Sequence, residues 1–134
     1  MTRPAAHDDV VAMVQQTLLG DAWEHAALAV AVFSDDGRYL ACNRAFCVLT
    51  GYERDEILRM RVGVDLAVDP AANTKLFNEI VRDSRKVGSG GLRRKDGSTT
   101  TVSFWAIATR AAGMPYEIVL YWEATERPKR RQVR

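Results

Sequence analysis

Three sets of residues carry groups that could do chemistry: the thiols Cys42 and Cys47, the acids Glu53, Asp55 and Glu56, and the histidines His7 and His25. Two cysteines without metal-type spacing indicate neither a metal site nor a disulfide framework. Cys42 closes a strand and Cys47 falls within a short helix, so both read as small core residues. The acids sit where a helix begins, and the positive end of its dipole explains them better than a catalytic pair does. Both histidines precede the first strand and read as surface residues. There is no P-loop, G-x-S-x-G or dinucleotide fingerprint, and kinase or cyclase activity would need a further domain. The reading is of a protein that is not an enzyme.

The stretch that organises the chain is NRAFCVLTGYERDEIL, Asn43 to Leu58. Asn43 is a good N-cap, a short helix carries Phe46 and Leu49 on one face, and Gly51 can take the left-handed conformation that ends it. A second short helix follows, so two helical turns fold back over something apolar.

A length of 134 residues suits one domain, and 47% hydrophobic with 27% charged residues is ordinary for a soluble globular protein. No apolar run approaches the ~18 residues that suggest a membrane span, and the N-terminus lacks a signal-peptide pattern. The expected compartment is the cytoplasm. The net charge of +2 is uneven, because Arg127, Lys129, Arg130, Arg131 and Arg134 crowd the end and leave 14 basic against 17 acidic residues elsewhere. A basic tail can touch nucleic acid or an acidic partner, but the acidic balance of the remainder opposes a continuous basic stripe, even with Arg93, Arg94 and Lys95 beside aromatic residues. Nucleic acid is therefore not the expected partner.

In chain order, Asp8 or Asp9 caps an amphipathic helix bearing Val10, Met13, Val14, Thr17 and Leu18. Gly20 ends it, and Asp21 with Glu24 restarts a turn carrying Trp23. Such a helix must bury its stripe, against its own sheet or against another subunit. Leu28 to Phe33 is apolar on both faces, and Asp35-Asp36-Gly37 turns it into Arg38 to Cys42. Either Val30 and Val32 meet the N-terminal helix while Ala29, Ala31 and Phe33 point inward, or the parity is reversed. Arg59 to Val68 reads as a loop with one helical turn. Asp69-Pro70 starts a helix with Leu76, Phe77, Ile80 and Val81 on one side, stopping near Gly88. Val87 to Arg94 is a strand weakened by Gly88, Gly90 and Gly91, whereas Thr99 to Thr109 and Tyr116 to Ala124 are strong ones. This order predicts an α+β domain, with helices packed on one face of a single five-stranded antiparallel sheet.

With that order in place, four spaced pieces resemble the PAS domain family: DDGRYLACNRAF, LTGYERDEIL, LRRKDGSTTTVSF, and Glu123-Ala124-Thr125-Glu126-Arg127. The last is similar to the family's exit signature, Asp-Ile-Thr followed by Glu-Arg, with Glu123 in place of the aspartate. The match spans Trp23 to Arg127, and divides the chain into an N-terminal helical segment (1–22), a PAS-like core (23–126) and a basic tail or linker (127–134).

The resemblance implies a cytoplasmic sensory module with a small-ligand pocket between sheet and helices, a partner surface on the sheet's outer side, and output through the exit. Phe33, Phe46, Leu49, Tyr52, Leu66, Leu76, Phe77, Ile80, Phe104 and Leu120 are the expected pocket residues. The alternative is a ligand-free interaction module with those side chains filling the core. Val10, Met13, Val14, Leu18 and Trp23 are the expected homodimer contacts, and Glu123, Thr125, Glu126 and Arg127 the exit toward an output domain or protein. The cofactor is unknown. Histidine-ligated haem is disfavoured because Asp69 to Val87 holds no histidine. A light-sensing flavin is disfavoured because neither cysteine lies in its motif and the last two strands lack Asn and Gln; the chromophore of the photoactive yellow protein type also lacks its cysteine.

Overall fold

A computed structural model of the chain describes residues 4–123. The elements are α1 (Pro4–His25), β1 (Ala29–Ser34), β2 (Tyr39–Cys42), α2 (Arg44–Thr50), α3 (Arg54–Ile57), α4 (Pro70–Asp83), β3 (Arg85–Arg93), β4 (Thr99–Ala111) and β5 (Met114–Glu123). One five-stranded sheet runs β2-β1-β5-β4-β3, with every neighbouring pair antiparallel. The α+β architecture is the one expected from sequence.

Local chemistry explains most boundaries. The Asn43 side chain accepts from the Phe46 N–H at 3.1 Å, capping α2, and Gly51 ends it with φ of 80°. Glu56 reaches back to the Glu53 N–H at 2.8 Å, so that acid serves the start of α3. Asp69 accepts from the Ala72 N–H at 3.2 Å, and Pro70 opens α4. The Ala112-Gly113 turn, with φ of 53° and 77°, joins β4 to β5 as a two-residue hairpin.

Three expectations are corrected. The first helix does not stop at Gly20: α1 is continuous to His25, because a helical glycine costs only about 1 kcal/mol and keeps its backbone hydrogen bonds. It also begins before Asp8 and Asp9, which lie inside it, and it passes unbroken through residues 22 and 23. The long helix ends at Asp83 rather than near Gly88, since Ser84 takes φ of 68° and closes the last turn onto the Ile80 carbonyl.

The core lies between the sheet and α2, α3 and α4. Ala29, Ala31 and Phe33 point into it, together with Phe46, Ile57, Leu66, Ile80, Phe104, Ala106 and Val119. The opposite sheet face is uneven among the described residues, from buried Val30 to exposed Trp105 and Val87. Val30, Leu120, Trp105 and Val87 follow one another across it in register, and Val87 is 67% exposed. Helix α1 does not lie on this face; it meets the fold mainly at α2, by its C-terminal end. Val10, Met13, Val14 and Leu18 are 49% to 62% exposed, whereas Trp23 is half-buried at the anchored end.

That anchor is Asn43, which is fully buried. Its Nδ2 donates to the carbonyls of Trp23 (2.8 Å) and Leu28 (3.0 Å), and its Oδ1 accepts from the Val30 N–H (2.9 Å) as well as from Phe46. Asn43→Ala strands two buried N–H groups and two carbonyls. It is expected to lower unfolding stability by about 2–4 kcal/mol in urea titration; a loss below about 1 kcal/mol would show that water replaces the amide.

Candidate functional site

A cavity of about 70 Å³ lies between the inner sheet face and α4. Its wall is mainly aromatic: Phe33 packs on Phe77 at 5.5 Å between ring centroids, Tyr39 on Phe46 at 5.8 Å, and Phe46 on Tyr121 at 5.2 Å. Leu66, Leu76, Ile80, Val102, Phe104 and Val119 complete the apolar lining. The lining residues with polar side chains are Asn73, Tyr39 and Tyr121. Burial pushes both phenols up, and the two interact with each other. Both are therefore neutral donors and acceptors, suited to an uncharged ligand with a hydroxyl or carbonyl.

Gly90 and Gly91 line the cavity from β3, and Gly88 lies beside its Phe104 wall. A Cβ on Gly88 would sit 2.9 Å from Phe104 Cζ, so the bare backbone is what lets that ring lie across the strand. At Gly90 a Cβ would meet Asn73 and Leu76 at ordinary contact distances of 3.7 and 3.8 Å.

Seven of the ten expected pocket residues reach the cavity: Phe33, Phe46, Leu66, Leu76, Phe77, Ile80 and Phe104. Three do not. Leu120 faces the outer side, because β5 alternates and Val119 and Tyr121 hold the inward positions. Leu49 packs against the core without reaching the cavity and lines a separate groove of about 580 Å³ beneath the end of α1. Tyr52 lies beyond Gly51, under the Lys95 ammonium, which is 5.7 Å from its ring centre. Tyr39, Asn73 and Tyr121 were missed; in-register pairing of Tyr121 with Phe104 places it inward, a relation that only the sheet reveals.

The expected exit begins at Glu123. Its carboxylate accepts from Arg94 at 2.6 Å and from Thr100 at 3.1 Å, while Arg94 Nε donates to the Leu49 carbonyl at 3.0 Å. Thus α2, the β3–β4 hairpin and the end of β5 share one guanidinium. Thr125, Glu126 and Arg127, with the rest of the basic tail, lie outside the described residues. Lys95 pairs with Glu56 at 2.9 Å, so two of the three cations in Arg93-Arg94-Lys95 are engaged within the fold. His25 is exposed at the end of α1 and is not part of the cavity.

Glu117 stands apart. In register with Phe33 and Ala108, it is 2% exposed, and its Oε1 has no hydrogen-bond partner among the described residues. Desolvation, and then the Asp35 charge, raise its pKa above the ordinary carboxylate range.

Residues 28–122 match the PAS domain family. The chain belongs to that family. No curated protein matches it significantly. Among solved structures, the PAS domain of an HTR-like protein from Haloarcula marismortui is 19% identical, with 88% of this chain and 98% of that one covered and a TM-score of 0.76. A domain of the sensory box sensor histidine kinase/response regulator from Geobacter sulfurreducens is 25% identical, covering 79% and 92%, at a TM-score of 0.66. The PAS domain of a LuxR-family transcriptional regulator from Burkholderia thailandensis, solved in complex with ethanol, is 10% identical, covering 80% and 97%, at 0.67. The family is one of sensory and signalling modules, and the fold is theirs.

Because the folded protein holds Glu117 protonated more readily than the unfolded chain does, its contribution is fully present at low pH and is lost as pH rises through the folded pKa. Glu117→Gln is accordingly expected to raise the urea midpoint at pH 7, with the advantage closing below about pH 4, near the unfolded carboxylate value. Equal midpoint shifts at both pH values would contradict this.

Proposed function

We propose that this PAS domain is a cytoplasmic sensor that holds a small uncharged ligand between its sheet and α4, works as a homodimer, and passes its state on through Glu123. The observation that carries the reading is the apolar cavity with neutral Tyr39, Tyr121 and Asn73 groups on its wall. Its ~70 Å³ is about half of a cavity that accommodates benzene, so a molecule of only a few heavy atoms fits. The ethanol bound by the Burkholderia relative is of that size. No helix among the described residues is long and apolar enough to cross a membrane.

A change at the cavity has a short route outward. Phe46 and Leu49 are neighbours on α2, and the Leu49 carbonyl holds Arg94, which holds Glu123. Ligand binding that shifts α2 by a few tenths of an ångström would alter that clamp and bias an attached output domain or protein. Nothing in this scheme calls for catalysis or for nucleic acid. The same small volume favours a second reading, in which the cavity stays empty and the domain only joins proteins.

Mass spectrometry of gently purified protein separates the two. A sensor shows added mass under native conditions that is lost on denaturation, and Leu76→Trp, which fills the cavity from α4, removes it while circular dichroism stays unchanged. Identical native and denatured masses, with no small alcohol or ketone stabilising the wild type in thermal shift, would leave the interaction module.

The dimer is supported by two unpartnered apolar surfaces, the stripe Val10, Met13, Val14 and Leu18 on α1 and the outer face with Trp105 and Val87. Light scattering at high micromolar concentration should give twice the 15.0 kDa monomer mass, and Leu18→Glu with Trp105→Glu should halve it. A wild-type monomer at that concentration rejects the dimer.

A further inference from the structure

The Cys42 and Cys47 sulfurs lie 3.9 Å apart, and both are free thiols. They sit on opposite sides of Asn43, one ending β2 and the other in α2. Cys42 is 2% exposed, whereas Cys47 is half-buried and is the sulfur that a reagent meets first. Burial, and then the neighbouring Cys47, hold the Cys42 thiol up at about 11, and the Arg54 guanidinium beside it works in the opposite direction. Arg54 is also bound to both oxygens of Glu24 on α1, at 2.7 and 2.9 Å. The thiol pair therefore stands at the corner where α1 is fastened to the core.

We propose that Cys42 and Cys47 form a reversible intramolecular disulfide, making this corner a modification site that couples thiol oxidation to the docking of α1. The oxidant is a small-molecule disulfide. Cys47 thiolate attacks one of its sulfurs, expelling a thiolate and leaving a mixed disulfide on Cys47. Cys42 then gives up its proton, attacks the Cys47 sulfur and expels the second thiolate. Two protein thiols are oxidised to one disulfide, and one small disulfide is reduced to two thiols.

The bond has a mechanical consequence. The sulfurs must close from 3.9 Å to about 2.05 Å. Side-chain rotation in the first turns of α2 is restricted, so part of that movement falls on the backbone at Asn43. Asn43 carries the clamp to Trp23, Leu28, Val30 and Phe46. Closing the disulfide loosens that clamp, whether or not the cavity is occupied.

The experiment uses the whole chain in glutathione disulfide, with remaining thiols alkylated before digestion. Trypsin cuts after Arg38, Arg44 and Arg54, so the two cysteines fall on separate peptides, Tyr39 to Arg44 and Ala45 to Arg54. The expected result is these two peptides joined in a chain that remains uncrosslinked to others, and separated again by dithiothreitol. Both cysteines alkylated, glutathione retained on Cys47 with Cys42 alkylated, or a bond between two chains would overturn the proposal. Hydrogen exchange tests the coupling: the Val30 and Phe46 amides should exchange about tenfold faster after oxidation and recover on reduction. Unchanged exchange in the oxidised protein, or the same acceleration in Cys47→Ser, would overturn it.

Discussion

A buried carboxamide has two N–H donors and a carbonyl oxygen with two lone pairs, and at Asn43 all four sites are used. The partners come from the end of α1, the link into β1, β1 itself and the first turn of α2. No other uncharged side chain of that length offers two donors and two acceptor sites: aspartate lacks the donors, and serine lacks the reach. The consequence is that the entry of the N-terminal helix, the edge of the sheet and the first helix over the core are set by one residue. Thr50 repeats the device on a smaller scale, its hydroxyl donating to the Phe46 carbonyl at 3.0 Å while Gly51 turns the chain away.

With those elements held, the sheet's two faces acquire different tasks. The inner face carries Phe33, Phe104, Val119 and Tyr121 toward α2 and α4. The outer face carries Val30, Leu120, Trp105 and Val87 in a row, with α1 projecting from one end rather than covering them. Apolar surface of this kind, bare on both sheet and helix in the same chain, is stabilised by burial against a matching surface at roughly 25 cal/mol per Å². In the proposed dimer, a second copy would supply both complements at once.

What was legible in the sequence follows this division of labour. Caps and turns are local, so Asn43, Gly51, Asp69-Pro70 and the Asp35-Asp36-Gly37 turn could be read directly, and with them the order of the elements. The family signature lies in the same punctuation. Register is not local: whether Leu120 or Tyr121 faces inward depends on pairing with Phe104, and an evenly apolar strand gives no alternation from which to choose. Gly88, Gly90 and Gly91 misled in a related way. They weaken a strand when taken alone, yet β3 pairs over nine residues, because close approach by Phe104 and Val68 requires missing side chains. The end of α1 was misjudged because Gly20 is a stop signal only where tertiary structure lets the chain turn. Here the next anchor, Trp23 on Asn43, needs helix up to that point.

In the proposed sensor, the clamp at Arg94 is the means by which a small cavity would matter for output. Its ion pair with Glu123 is partly exposed, and such pairs are worth at most about 1 kcal/mol. A ligand of a few heavy atoms can gain up to about 1.5 kcal/mol per heavy atom, which exceeds the worth of that pair. A weak clamp is therefore within reach of even part of that gain, which is the condition for switching: a ligand redistributes two states only by its differential affinity for them, and a strong clamp would not respond. Arg94 satisfies that condition because its other bond, to the Leu49 carbonyl, belongs to the helix whose Phe46 forms the cavity wall. A lysine at this position, with one nitrogen at the end of a flexible stem, would not hold both ends in fixed geometry. In the proposed sensor, the planar guanidinium is what would tie the distance between α2 and the end of β5 to the cavity.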